Sequence, residues 1–129
     1  MLQADLSPLR ILIVDDHHDG AESLGVLLET VGCDVRVRYS GEAALALAPA
    51  FRPSLIILDI EMPGMSGLET AKRLREQSWF RHAVLASHSA RSDRRTRELS
   101  RSAGCARHIT KPAELDAFRE LIDLVRRDH

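Results

Sequence analysis

Two apolar runs in this chain end in acid. Ile11-Leu12-Ile13-Val14 is followed by Asp15-Asp16, and Leu55-Ile56-Ile57-Leu58 by Asp59. Carboxylates brought together repel one another, and a hard divalent cation with oxygen ligands relieves that repulsion. Ser87 and Lys111 stand behind two further short apolar segments. Together these side chains suit phosphoryl transfer to a carboxylate, a reaction driven mainly by positioning and electrostatics. Asp59 is the expected nucleophile, forming an aspartyl phosphate. Asp16 and Asp59 are the expected oxygen ligands of Mg²⁺, with Asp15 touching the ion directly or through a ligand. Lys111 would pair with phosphoryl oxygens from the opposite side, and the Ser87 hydroxyl would bond a further oxygen.

The elements that must hold these groups follow from the pattern around them. Runs so short, apolar at each position and rich in branched side chains, read as strands buried on both faces of a parallel sheet. Acids at their ends then lie at the sheet's carboxyl edge, where open α/β folds place a ligand crevice. Strands are expected at about Arg10 to Val14, Val35 to Tyr39, Leu55 to Leu58, Ala83 to Ala86 and Ala106 to Ile109. Val35 to Tyr39 alternates in polarity and is placed at a sheet edge.

Helices fill the intervals. The first, from near Asp19, presents Leu24, Leu27, Leu28 and Val31 on one face, and Gly32 stops it. Ser40 caps an alanine-rich second helix that Pro49 is expected to close. Glu61-Met62-Pro63-Gly64-Met65-Ser66-Gly67 reads as loop. A third helix turns Leu68, Ala71 and Leu74 inward, with Trp79 and Phe80 capping the lower edge of the core. A polar fourth helix runs from about Ser92 to Ser102. The last begins after Pro112 and buries Leu115, Phe118, Leu121, Ile122 and Val125. Alternating short strands and helices predict a three-layer αβα sandwich with right-handed crossovers.

At 129 residues the chain suits one domain, expected over residues 9–127, behind a flexible lead-in at residues 1–8. A net charge of −1 gives no overall pull toward nucleic acid or membrane. No apolar stretch is long enough to span a bilayer, and residues 1–8 lack a secretory pattern. Cys33 and Cys105 form no metal motif, and read as reduced thiols of a cytoplasmic protein.

Asp15-Asp16, the segment Leu58 to Gly67, Ser87 and Thr110-Lys111-Pro112 together resemble the receiver domain of bacterial two-component response regulators. The resemblance spans about Leu9 to Val125. It implies a flavodoxin-like sheet of order 2-1-3-4-5, phosphate taken from a phosphohistidine on a kinase or phosphotransfer protein, and a cis peptide before Pro112. It also implies Asp59 as acceptor and Asp16, Asp59 and the Glu61 carbonyl as metal ligands. Such a domain catalyses only its own phosphorylation and dephosphorylation. In the family the Ser/Thr hydroxyl and a strand-five aromatic re-aim on phosphorylation, and helix four, strand five and helix five carry the readout.

Several residues depart from that pattern. The aromatic switch position holds His108, which can stack and swing and titrates near neutral pH. A His there resembles receivers associated with hybrid sensor kinases. His88 stands where a small residue is usual; it either narrows access to Asp59 or is a solvent-facing loop residue. Glu61 and Ser89 flank the site, where they can steer a hydrolytic water. Asp15-Asp16-His17-His18 could suggest zinc, but adjacent side chains seldom converge on one ion, so His17 and His18 read as exposed loop and helix-start residues beside the pocket. Arg91, Arg94, Arg95, Arg97 and Arg101 crowd the fourth helix, and Leu99 is nearly its only large apolar residue. A stripe so thin predicts a short or mobile helix with a solvated basic face. No recognition-helix motif accompanies the charge, so nucleic acid is not an expected partner. The competing reading is a phosphatase of the haloacid dehalogenase type. That resemblance calls for a second Asp two residues after the nucleophile, where this chain has Glu61.

Overall fold

The computed structural model describes residues 8–127. The lead-in expected at residues 1–8 therefore lies almost wholly outside the described residues. Five parallel strands, β1 (Arg10–Val14), β2 (Asp34–Arg38), β3 (Leu55–Asp59), β4 (Val84–Ser89) and β5 (Arg107–Thr110), form one sheet in the order β2-β1-β3-β4-β5. The helices are α1 (His18–Thr30), α2 (Gly41–Phe51), α3 (Gly67–Arg75), α4 (Arg94–Ser102) and α5 (Leu115–Arg127), with a 3₁₀ turn at Ser78–His82. This is the three-layer αβα sandwich that the sequence predicts, with the strand order that the resemblance implies.

The two apolar runs are continuous because β1 and β3 are central and covered on both sides. Successive side chains of a strand point to opposite faces. Ile11, Ile13, Leu55 and Ile57 pack with Leu28 of α1 and with Phe118, Leu121, Ile122 and Val125 of α5. Leu12, Val14, Ile56 and Leu58 pack with Ala44 and Ala48 of α2 and Ala71 and Leu74 of α3. Both edge strands are only partly buried, which is why β2 alternates in polarity. Trp79 and Phe80 are half-buried against the second cluster, as a cap would be.

Three expectations about the elements need correction. Pro49 does not close α2; the helix continues to Phe51 and leaves through Arg52 at φ 50°. A proline so near the end forfeits one backbone bond, and the chain still has room to turn. Strand four extends to Ser89, so Ser87 and His88 lie within it rather than beyond it. Leu27 on α1 is exposed, and Ala21, Gly25 and Leu28 form the buried face instead. On α4, Leu99 is 42% exposed, and the side chains turned inward are Thr96 and Ser100. That helix is short, and it docks with hydroxyl groups where its neighbours use alkyl groups.

Gly67 bears directly on the site. A Cβ there would lie 2.2 Å from the Asp59 carbonyl oxygen, so only glycine lets α3 start against the end of β3. The Lys111–Pro112 peptide is cis, as the resemblance implies. No helix among the described residues is long and apolar enough to cross a membrane. Cys33 and Cys105 are buried and unbridged.

Candidate functional site

The acidic groups meet because of register. Val14 pairs with Leu58, so the residues that follow, Asp15 and Asp59, leave the sheet at the same level. Both carboxylates are buried, while Asp16 is partly open. Lys111 reaches across from the end of β5. Its Nζ donates to Asp15 Oδ2 at 2.8 Å and to Asp59 Oδ2 at 3.5 Å. Asp59 Oδ1 accepts the Glu61 backbone N–H at 2.9 Å. Ligand atoms of Asp15, Asp16, His17 and Asp59 all lie within 4.8 Å of one another.

These neighbours pull the carboxylates apart in acidity. Burial raises the Asp59 carboxyl above the ordinary range, and the facing Asp15 charge adds to this; the Glu61 N–H and Lys111 act the other way. Burial would also raise Asp15, but its bonds to the Lys111 ammonium and the His17 N–H hold it below that range. Lys111 is raised: against the cost of burial, the two acids favour its charged form. Asp59 is thus a buried carboxylate beside a fixed cation and opposite a second acid. Such an oxygen is suited to take an electrophile whose negative charge Lys111 can meet.

Asp16 Oδ1 is buried and has no hydrogen-bond partner among the described residues. An orphaned carboxylate oxygen beside two more acids fits a divalent cation. Asp15, Asp16 and Asp59 supply carboxylate oxygens that could hold such an ion.

The Ser87 hydroxyl faces α4 and β5. Its Oγ lies 2.5 Å from Ser100 Oγ on α4 and 2.7 Å from His108 Nδ1 on β5. His108 Nε2 in turn lies 2.8 Å from the Arg91 carbonyl oxygen. His108 therefore joins β4, β5 and the loop before α4. Ser100 was missed by the sequence reading. Its signal was the pair Thr96 and Ser100, four positions apart on a helix whose one large apolar residue lies elsewhere.

Glu61 and Ser89 do flank the site, and they bond each other. Ser89 Oγ donates to Glu61 Oε2 at 3.1 Å, and the Arg91 N–H donates to Ser89 Oγ at 3.0 Å. His88 is not a solvent-facing loop residue. It pairs with Asp59 across β3 and β4, its ring meets Phe118 edge-on at 5.4 Å, and its Nε2 is buried without a partner. Burial and the nearby Lys111 charge lower its pKa to about 4, so the ring is neutral at pH 7. With Asp15, Asp59, Lys111, Leu24 and Phe118 it lines a cleft of about 550 Å³ between α1 and α5. His18 leaves the site and stacks on Tyr39 at 3.7 Å. His17, expected to stand aside, turns into the acidic cluster.

A parallel sheet of this order, with three acids and a lysine at its carboxyl edge, defines the class of doubly wound receivers. Residues 11–123 match the model of the response regulator receiver domain, and the chain belongs to that family. It is 33% identical over 115 residues to the polar-differentiation response regulator DivK of Brucella anthropi, covering 89% of this chain and 94% of that one. The fold is shared with the chemotaxis protein CheY4 of Vibrio cholerae at a TM-score of 0.86 and 24% identity, covering 92% of this chain and 98% of that one. A CheY-like receiver domain protein of Methanospirillum hungatei superposes at a TM-score of 0.85 and 24% identity, covering 95% and 97% of the two chains. The family is one of signalling switches, which sets aside the phosphatase reading.

Proposed function

We propose that this receiver accepts a phosphoryl group on Asp59, with Mg²⁺, from a phosphohistidine on a histidine kinase or histidine phosphotransfer protein in the cytoplasm. The observation that carries the reading is Lys111 Nζ set between Asp15 and Asp59, beside the orphaned oxygen of Asp16. An Asp59 carboxylate oxygen attacks phosphorus, the donor's nitrogen–phosphorus bond breaks, and the released imidazole takes a proton from solvent. Asp16, Asp59 and the Glu61 carbonyl would hold the cation, whose charge would offset that of the phosphoryl oxygens. Lys111 exchanges a carboxylate oxygen for a phosphoryl oxygen, keeping a charge-assisted bond throughout.

Phosphorylation adds roughly −1.5 to −2 charges at Asp59, and nearby donors re-aim to meet them. The Ser87 hydroxyl is the donor with most to exchange, because its present partners are on α4 and β5. Turning it toward the phosphoryl group would release Ser100 and His108 together and alter the α4–β5–α5 face. Site-flanking Glu61 and Ser89 would govern water access, and Pro112 the position of Lys111.

The test is incubation with acetyl phosphate or phosphoramidate and Mg²⁺, followed by intact mass measurement and Phos-tag electrophoresis. Wild type should gain one phosphoryl group and Asp59→Ala none. An unlabelled wild type, or a labelled Asp59→Ala, would overturn the reading.

A further inference from the structure

His17 precedes α1 as its N-cap, yet its side chain makes no capping bond. An N-cap side chain normally accepts an N–H of the first turn. Here the imidazole turns the other way. Its Nδ1 lies 3.1 Å from Asp15 Oδ1, 3.5 Å from Asp16 Oδ1 and 3.7 Å from Asp59 Oδ2. One nitrogen thus faces all three carboxylates, and one of the oxygens it faces is the buried, unpartnered Oδ1 of Asp16. The ring itself is 71% exposed, so packing does not force it into this position. His18 shows the alternative available to a neighbouring imidazole, stacking on Tyr39 away from the acids.

We infer that His17 is a nitrogen donor to the cation held by Asp15, Asp16 and Asp59, so that this receiver's metal site is a mixed nitrogen–oxygen one that favours Mn²⁺ and later transition ions over Mg²⁺. The inference rests on the metal-dependent reading above and deepens it. Mg²⁺ prefers oxygen ligands and keeps its waters, and gains little from an imidazole. Imidazole suits Mn²⁺ weakly and Ni²⁺ and Zn²⁺ strongly, in the order that divalent ions follow at nitrogen sites. Among the described residues, no other imidazole is among the clustered ligand atoms.

Mn²⁺ supplies a readout independent of phosphorylation. Pulsed electron paramagnetic resonance of the Mn²⁺-loaded full chain should show ¹⁴N coupling from a bound imidazole. That coupling should vanish in His17→Gln and persist in His18→Gln. By calorimetry, His17→Gln should weaken Ni²⁺ binding by about tenfold or more and leave Mg²⁺ within about twofold. Mn²⁺ bound without ¹⁴N coupling, or with coupling that survives His17→Gln, would overturn the inference and leave the phosphoacceptor reading standing. Failure of wild type to bind Mn²⁺ or Mg²⁺ at all would overturn both.

Discussion

Ser87 Oγ lies 2.7 Å from His108 Nδ1, across a register pair of β4 and β5. A hydroxyl on the acceptor's neighbouring strand is thus tied to β5 and, through Ser100, to α4.

His108→Ala should cost about 1 kcal/mol of stability, since it removes the ring that bridges Ser87 and the Arg91 carbonyl. Its larger effect should be functional. Amide NMR shifts of α4 that follow phosphorylation of wild type should shrink in the variant. Identical phospho-induced shifts would exclude His108 from the switch. In the same samples α4 should exchange its amides faster than α5, because it buries hydroxyls where α5 buries Phe118, Leu121, Ile122 and Val125.

Asp59→Asn should raise stability in metal-free buffer, because a raised carboxyl is one whose charge the fold disfavours. Lys111→Ala should lower it by about 1–3 kcal/mol, leaving two facing acids without their shared cation. Urea denaturation of both variants and their double mutant measures the coupling. A double mutant equal to the sum of the singles would show that Lys111 and Asp59 are energetically independent.

His88 gives a pH signature. Its pKa is about 4 in the fold and near the ordinary 6.5 when unfolded, so between these values the unfolded chain binds more protons. Stability should therefore fall as pH drops from about 6.5 toward 4, by an amount on the order of 2–3 kcal/mol from this group. His88→Leu removes the titrating group and should flatten that part of the profile relative to wild type. Parallel profiles from urea titrations at pH 7 and pH 4.5 would refute the assignment.

Mg²⁺ should raise the melting temperature of wild type, since a ligand bound to the folded form adds about 1.4 kcal/mol per tenfold concentration above its dissociation constant. Asp16→Ala removes the orphaned oxygen and should abolish most of that rise. An unchanged shift in Asp16→Ala, measured by differential scanning fluorimetry, would place the cation elsewhere.

The order of elements and the acids at the sheet edge were legible because they depend on local pattern, whereas the strand order followed from the family resemblance. Continuous apolar runs mark strands covered on both faces, and an acid at the end of such a run has nowhere to go but the rim. The joining of Asp15, Asp59 and Lys111 followed from the resemblance of their motifs. Side-chain direction was not legible. Whether His17 caps α1 or turns to the carboxylates, whether His88 faces solvent or Phe118, and whether α4 buries Leu99 or Ser100 depend on what stands opposite in space. Ser100 faces Ser87 only because α4 and β4, distant in sequence, are brought together by packing. Local sequence sets which residues can lie on one face of an element; the partner that face meets is chosen by the tertiary fold, since burial of a polar group is tolerable only where another polar group answers it.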